Sequence, residues 1–172
     1  DCSSRGLGDV YKRQGWRFPD VVVYETGGGT GLIGMWKAFV EIKSMGWVND
    51  PLPRMVAAQS TGCAPVVKAF QERQRDTDFW ENSDTVALGL NVPGPLGGAW
   101  ILDILRKSKG IAIMIDEHRL KALTEEFNNL TSINSSDEGG VVWGAYSHLK
   151  NVGWIKPKER SVIFATGIER IK

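Results

Sequence analysis

The sequence is poor in the side chains that build covalent or metal frameworks, with two cysteines and two histidines among 172 residues. Cys2 and Cys63 can form at most one bridge, which excludes the dense disulfide framework of small secreted domains. His118 and His148 stand thirty residues apart without a cluster of other ligands, so we expect no metal site. This composition favours a protein of the reducing cytoplasm, in which Cys63 is a small core residue.

The sequence also lacks a charge imbalance and a long apolar run. Lys and Arg number 21 against 20 Asp and Glu, the formal net charge is +1, and neither sign forms a run. Such a chain has no electrostatic reason to bind nucleic acid or an anionic membrane. No apolar stretch approaches the roughly 20 residues of a membrane span, and the N-terminus lacks the apolar core of a signal peptide. We therefore expect neither nucleic acid nor membrane among its partners.

Residues 1–14, which read DCSSRGLGDVYKRQ, have no apolar periodicity. They resemble a translated adapter or cloning remnant, and such a segment is excluded from fold prediction. On this interpretation the native protein continues upstream of Gly15, and residues 15–172 are the C-terminal part of a longer, N-terminally truncated domain.

What the sequence contains is an alternation of strands and helices. Strands are predicted for four apolar segments, namely 20–24, 54–59, 111–115 and 161–165. Helices are predicted over 30–45, 65–73, 98–108, 117–128 and 139–150, with loops over 74–98 and 128–137. Strands that alternate with helices predict an α/β fold with three layers, a parallel sheet covered by helices on both faces.

The most informative segment is DVVVYETGGGTGLIGMWKAF, residues 20–39, in which a buried strand passes through three consecutive glycines into a helix. Free backbone N–H groups and the positive end of the helix dipole converge at such a turn and favour an anion. The alternative is a tight connection that uses glycine for positive φ and close packing. If the turn is a ligand site, its ligand is expected to be phosphorylated.

Gly29, Gly31 and Gly34 also satisfy the dinucleotide pattern G-x-G-x-x-G between a strand and a helix. That interpretation requires an acid near the end of the second strand to bind the ribose hydroxyls. The second strand ends instead in Ala-Gln-Ser, residues 58–60, without such an acid. A nucleotide P-loop fails as well, because Met35 and Trp36 stand where Lys and Ser or Thr are needed. A cradle for a smaller phosphate therefore remains.

Several longer strings accompany this turn in a fixed order. They read PRMVAAQSTGCAPVVKAF, DTVALGLNVPGPLGGAWILDILRKSKGIAIMIDE, EGG and SVIFATG. Together with PDVVVYETGGGTGLIGMWKAF they resemble the C-terminal half of the threonine synthase family, in the tryptophan-synthase-β class of pyridoxal-phosphate enzymes. The resemblance runs from Trp16 to about Gly167. It implies part of a fold-type II large domain, with residues 15–172 as the C-terminal part of the catalytic domain.

The resemblance also implies a cofactor site. Five turn residues would wrap the phosphate of pyridoxal phosphate, namely Gly27, Gly28, Gly29, Thr30 and Gly31. Thr166 matches the hydroxyl residue that faces the pyridine nitrogen in this class, and a neutral hydroxyl there would leave that nitrogen largely unprotonated. Glu138 opens the EGG segment, where we interpret it as an acid favoured by a helix N-terminus rather than as a direct ligand.

The implied reaction is that of a carbon–oxygen lyase, the conversion of O-phosphohomoserine and water to threonine and phosphate, in a monomer or homodimer of the cytoplasm. The family's Schiff-base lysine belongs to a motif upstream of this chain, so Lys37 is not assigned that role and no catalytic residue is predicted here. We therefore expect this fragment alone to be inactive and poorly folded. Cysteate synthase, a threonine-deaminating enzyme, a nicotinamide-dependent dehydrogenase and a non-catalytic scaffold remain as alternatives.

Overall fold

The computed structural model describes residues 17–168, which form a four-stranded parallel sheet between two layers of helices. The strands are β1 (Val21–Glu25), β2 (Arg54–Ser60), β3 (Ile111–Ile115) and β4 (Ser161–Phe164). Their order in the sheet is β3-β2-β1-β4, and every neighbouring pair is parallel. The predicted α/β fold with helices on both faces is confirmed. The segment 1–14, assigned above to an adapter, lies outside the described residues.

Five α-helices connect and cover the strands. They are α1 (Thr30–Ser44), α2 (Pro65–Gln71), α3 (Gly98–Lys107), α4 (Leu120–Thr131) and α5 (Asp137–Asn151). Helices α1, α2 and α3 pack on one face of the sheet, and α4 and α5 pack on the other. Among the described residues, no helix is both long and apolar enough to cross a membrane.

The core is divided in two by the alternation of side chains along the strands. Side chains from successive strand positions point to opposite faces, so a fully apolar strand serves both layers. On the side of α1 the sheet contributes Val22, Met55, Ala57 and Ala112. On the side of α5 it contributes Val21, Val23, Val56 and Ala58. Burial of each valine stabilises the fold by about 1.5–3 kcal/mol, which explains why β1 opens with three consecutive valines.

The helix boundaries differ slightly from those predicted around residues 117–137. The predicted helix at 117 starts as a 3-10 turn, Glu117–Arg119, and its α-helical part α4 continues to Thr131. The following loop is short because Asn128 bonds the backbone of Ser135 through both its amide nitrogen and its amide oxygen. Helix α5 then begins at Asp137, where two acids in the first turn match the positive end of the helix dipole.

Since all four strands are parallel, their carboxyl ends lie at one edge of the sheet. In open α/β sheets ligands bind at this edge. At the opposite edge the carboxylate of Asp20 forms a structural link, since it accepts a 2.8 Å hydrogen bond from the backbone N–H of Arg160. That bond joins the residue before β1 to the residue before β4. The glycine turn after β1 and Thr166 after β4 lie instead at the carboxyl edge.

Candidate functional site

A cavity of about 260 Å³ lies at the carboxyl edge of β1 and β4. The six residues that the sequence predicts as cofactor ligands all line it, namely Gly27, Gly28, Gly29, Thr30, Gly31 and Thr166. The rest of its wall consists of Tyr24, Glu25, Gly89, Leu90, Glu138 and Gly167. The fold therefore brings together two segments that are more than a hundred residues apart in the sequence.

The backbone of the glycine turn is free to bind an anion. Within the described residues, the amide N–H groups of residues 27–31 donate to no protein acceptor. Helix α1 starts directly at Thr30 and has no acid in its first turn, and the capping residue Gly29 provides no side-chain hydrogen bond. Unpaired amides and an uncompensated helix dipole at one place favour a phosphate group.

Close packing accounts for three of the glycines in the turn. A Cβ atom at Gly27 would lie 2.8 Å from the carbonyl oxygen of Gly89, and one at Gly31 would lie 1.9 Å from the hydroxyl of Tyr24. Gly29 has a φ of +86°, and a Cβ there would lie 2.2 Å from Ile101 Cδ1. Side chains are excluded at all three positions because atoms cannot approach so closely.

Gly28 differs from its neighbours, since a Cβ at this position would have no atom within 4 Å. Packing within the described part of the protein therefore does not require glycine here. Gly28 is also one of the residues that line the cavity. The open space next to it is what a bound group would need, so the tight-connection interpretation explains only part of the turn.

Gln59 holds the turn in place from the neighbouring strand. Its buried side chain donates from the amide nitrogen to the carbonyl oxygen of Thr26, and its amide oxygen accepts from the N–H groups of Val66 and Val67 at 2.9 and 3.1 Å. Gln59 thus satisfies two first-turn amides of α2, whose N-cap residue Ala64 makes no side-chain bond, and it anchors the start of the turn. At the position where a dinucleotide fold needs an exposed acid, the chain has a fully buried structural amide.

Glu25 is a buried acid of the cavity wall that the sequence did not predict as a site residue. Its side chain is only 3% exposed. Oε1 accepts a 2.8 Å hydrogen bond from the backbone N–H of Thr166 and a second bond from the Thr166 hydroxyl. Oε2 is buried without a hydrogen-bond partner in the described part of the chain. A buried oxygen left unpaired costs about 1–3 kcal/mol, so the fold tolerates a destabilising carboxyl at this position.

The surroundings of Glu25 favour its neutral form. Burial raises the pKa of Glu25, the bonds from Thr166 lower it, and the negative charge of Glu138 raises it further. The pKa of the neighbouring Tyr24 is also raised, first by burial and then by the charge of Glu25. A signal for Glu25 was present in the sequence: in VVVYE it follows Val21 and Val23 at intervals of two, which places it on their buried face.

Glu138 closes the cavity on the side of α5. Its Oε1 accepts a 2.7 Å hydrogen bond from the backbone N–H of Gly89, and its Oε2 accepts from the hydroxyl of Ser136. The bond to Gly89 holds the 3-10 turn Leu88–Leu90 against the site. Glu138 therefore lies at a helix N-terminus, as expected, and also shapes the cavity wall. The residues Gly89 and Leu90 were missed because the loop 74–98 has no periodicity that predicts a conformation.

Residues 9–167 match the family described as pyridoxal-phosphate dependent enzyme. The chain is 25% identical over 159 residues to threonine synthase of Methanocaldococcus jannaschii, which covers 92% of this chain and 39% of that protein. It is 24% identical over 169 residues to cysteate synthase of Methanoregula boonei, which covers 91% of this chain and 40% of that protein. The chain thus spans about two fifths of the curated relatives it matches.

The fold is also found in solved structures. Maize serine racemase superposes with a TM-score of 0.72 at 14% identity, which covers 98% of this chain and 48% of that one. At this identity the likeness shows a shared fold. It agrees with the parallel sheet and the two helical layers described above.

Proposed function

Since the chain belongs to the pyridoxal-phosphate-dependent enzyme family, we propose that it is part of a threonine synthase, which converts O-phosphohomoserine and water to threonine and phosphate. The cofactor of the family is pyridoxal phosphate. The observation that carries the proposal is the cavity in which the glycine turn and Thr166 meet. The similarity to threonine synthase of Methanocaldococcus jannaschii supports the substrate assignment.

The residues of the cavity fit this cofactor. The unpaired amides of residues 27–31 would bind its phosphate, and the open space beside Gly28 leaves room for that group. Thr30 adds a hydroxyl that donates to no protein acceptor within the described residues. At the other side of the cavity Thr166 would contact the ring nitrogen. When bound, pyridoxal phosphate supplies an electron sink that stabilises carbanions of an amino-acid substrate.

The chain's own residues orient and enclose the cofactor. The turn fixes the phosphate, because its position is set by the anchor from Gln59 and by the packing of Gly29 on Ile101. Glu138 holds the Gly89 turn as a wall that limits access of water. A ligand held from both ends keeps a single orientation, and a fixed orientation of the reacting groups lowers the barrier to reaction.

We also propose that the lysine that binds the cofactor lies outside this chain, in the part of the protein upstream of Gly15. Among the described residues that line the cavity there is no lysine. Lys37 lies on the exposed side of α1, where it pairs with Glu41 at 3.8 Å, and it does not line the cavity. This arrangement supports the interpretation of residues 15–172 as the C-terminal part of a catalytic domain, and of the chain alone as inactive.

Cysteate synthase is the second candidate, because that relative is 24% identical to the chain against 25% for threonine synthase. The experiment that separates them uses the full-length protein loaded with pyridoxal phosphate. We expect release of phosphate and formation of threonine from O-phosphohomoserine. Formation of cysteate, or release of ammonia from threonine, without that reaction would contradict the proposal. Phosphate release by the 172-residue chain alone would contradict the assignment of the lysine to the missing part.

A further inference from the structure

Tyr24 brings a hydroxyl group to the cavity at the point where the glycine turn enters α1. On β1 its side chain lies on the same face as Val22, the face on which α1 packs. A Cβ atom at Gly31 would overlap the Tyr24 hydroxyl, so this oxygen lies directly against the first turn of α1. Both residues line the cavity. The phenol therefore ends beside the backbone that would bind the phosphate.

The Tyr24 hydroxyl has no hydrogen-bond partner in the described part of the protein, where the bonds of Tyr24 are made by its backbone. The oxygen is also open to solvent, since the buried side-chain atoms without a partner in residues 17–168 belong to Glu25, Trp143 and Ser161. Buried donors in folded proteins are almost always paired. A donor that is neither paired nor sealed in the core is available to a ligand.

Packing holds the ring of Tyr24 in place. The ring contacts that of Phe164 in β4, with the two centroids 5.8 Å apart and an angle of 52° between the planes. It also packs against the core on the side of α1. A side chain that is already ordered loses little conformational entropy when it binds a ligand. The hydroxyl is therefore placed before any ligand arrives.

The described wall of the cavity offers neutral donors to an anion. No lysine or arginine is among the described residues that line it, and the amides of residues 27–31 carry no formal charge. A hydrogen bond to an ionised group is about twice as strong as one between neutral groups, so each neutral donor contributes strongly to binding a phosphate. Burial raises the pKa of Tyr24 above its usual range, so the phenol keeps the hydrogen that it would donate.

We propose that Tyr24 is a binding residue for the phosphate of pyridoxal phosphate, and that its hydroxyl donates a hydrogen bond to a phosphate oxygen beside the amides of the glycine turn. The inference rests on the proposed cofactor site and adds a side chain of β1 to it. It also gives Gly31 a second role, since the absence of a side chain there leaves room for the hydroxyl. The sequence did not predict Tyr24 as a site residue because it lies within the strand, before the turn.

The test compares two ligands that differ in the phosphate alone. Pyridoxal phosphate and pyridoxal are titrated into the full-length protein and into its Tyr24→Phe variant, and binding is followed by absorbance. We expect Tyr24→Phe to weaken binding of pyridoxal phosphate about tenfold, because one hydrogen bond to a charged group is lost. Binding of pyridoxal should not change. Since the hydroxyl has no partner in the described residues, the cofactor-free variant should unfold at the same temperature as the unmodified protein.

Tyr146→Phe is the matched control. It removes the same atom from another half-buried tyrosine, which lies in α5 against Trp143 and does not line the cavity. This variant should bind both ligands as the unmodified protein does. Equal losses of pyridoxal phosphate affinity in the two variants overturn the inference. So do equal losses for the two ligands in Tyr24→Phe, which would indicate a structural role, or an unchanged affinity of Tyr24→Phe for pyridoxal phosphate.

The outcomes also separate this inference from the proposed function. If the unmodified protein binds neither ligand, or binds pyridoxal phosphate no more tightly than pyridoxal, the phosphate cradle itself fails, and the role of Tyr24 fails with it. If the unmodified protein prefers pyridoxal phosphate and Tyr24→Phe keeps the same preference, only the inference fails.

Discussion

The side-chain amide of Gln59 joins the end of β2 to the start of the glycine turn, through a hydrogen bond of 2.9 Å to the carbonyl oxygen of Thr26. Its other end bonds the first amides of α2. One buried side chain thus fixes the relative positions of a strand, a helix and the cavity wall. The glycine turn is flexible by composition, and this contact restricts its conformation together with the packing of Gly29 on Ile101.

The first prediction concerns this anchor. Replacement Gln59→Leu leaves the carbonyl of Thr26 and the amides of Val66 and Val67 buried without partners. Since each such loss costs about 1–3 kcal/mol, we expect the free energy of unfolding to fall by about 2–5 kcal/mol. Urea denaturation measures it. Gln74→Leu is the control, because the Gln74 side chain bonds Asp78 at the surface, and a loss of similar size there would contradict the prediction.

A second prediction tests the phosphate cradle. Gly28 and Gly34 both have open space where a side chain would extend, but of the two only Gly28 lines the cavity. An aspartate at position 28 would place a negative charge beside the phosphate. We expect Gly28→Asp to weaken binding of pyridoxal phosphate at least about tenfold, which corresponds to ~1.4 kcal/mol. Fluorescence titration of the full-length protein measures it, and Gly34→Asp should bind as the unmodified protein does.

A third prediction separates packing from ligand binding within the same turn. Gly29→Ala must adopt the left-handed conformation at φ +86° and collide with Ile101. The backbone strain costs roughly 1–2 kcal/mol and the overpacking about 1–3 kcal/mol. We expect a loss of about 2–4 kcal/mol in the free energy of unfolding. Gly28→Ala should change it by less than about 0.5 kcal/mol. Equal losses at the two positions would show that the turn is not packed as described.

A fourth prediction follows from the raised pKa of Glu25. In the folded protein the pKa of Glu25 lies above the ordinary value of 4.5, which is the value expected in the unfolded chain. Between these two pKa values the folded state binds more protons, so the contribution of Glu25 to stability is largest below pH 4.5 and decreases as the pH rises. A difference of one pKa unit between the folded and unfolded states corresponds to about 1.4 kcal/mol.

The measurement is the free energy of unfolding of the unmodified protein and of Glu25→Gln between about pH 4 and pH 8. From about pH 4.5 upward, the free energy of unfolding of the unmodified protein should fall relative to that of Glu25→Gln. Above the folded-state pKa of Glu25 the difference between the two should become constant. Tyr24 and Glu138, the other titratable groups in the described cavity wall, are the same in both proteins. Parallel pH profiles would mean that Glu25 titrates as an ordinary surface acid.

The sequence predicted the fold well because its information is local. The β-branched run at 21–23 favours a buried strand, and the glycines after it mark the turn that ends the strand. Glu25 was missed because the predicted strand ends at residue 24 and the predicted cofactor turn begins at residue 27, so neither element includes it. Its hydrogen bonds come from Thr166 and a nearby charge from Glu138, which both lie more than a hundred residues away in the sequence.

The loop at 74–98 illustrates the same limit. Its prolines and glycines predicted irregular structure, and that is what forms, apart from one 3-10 turn. Which of its residues face the cavity is decided by the bond from the Gly89 amide to Glu138. No periodicity records a contact of this kind, because neither residue belongs to a repeating pattern.

The position of β4 in the sheet gives the two ends of the cavity different mechanical support. The glycine turn follows β1, which has strands on both sides, whereas Thr166 follows β4, which is an edge strand within residues 17–168 and is only half-buried. Local opening starts where few contacts must be broken. Fraying of the fourth strand would therefore remove Thr166 from the cavity wall while it left the glycine turn, which follows the central strand β1, in place.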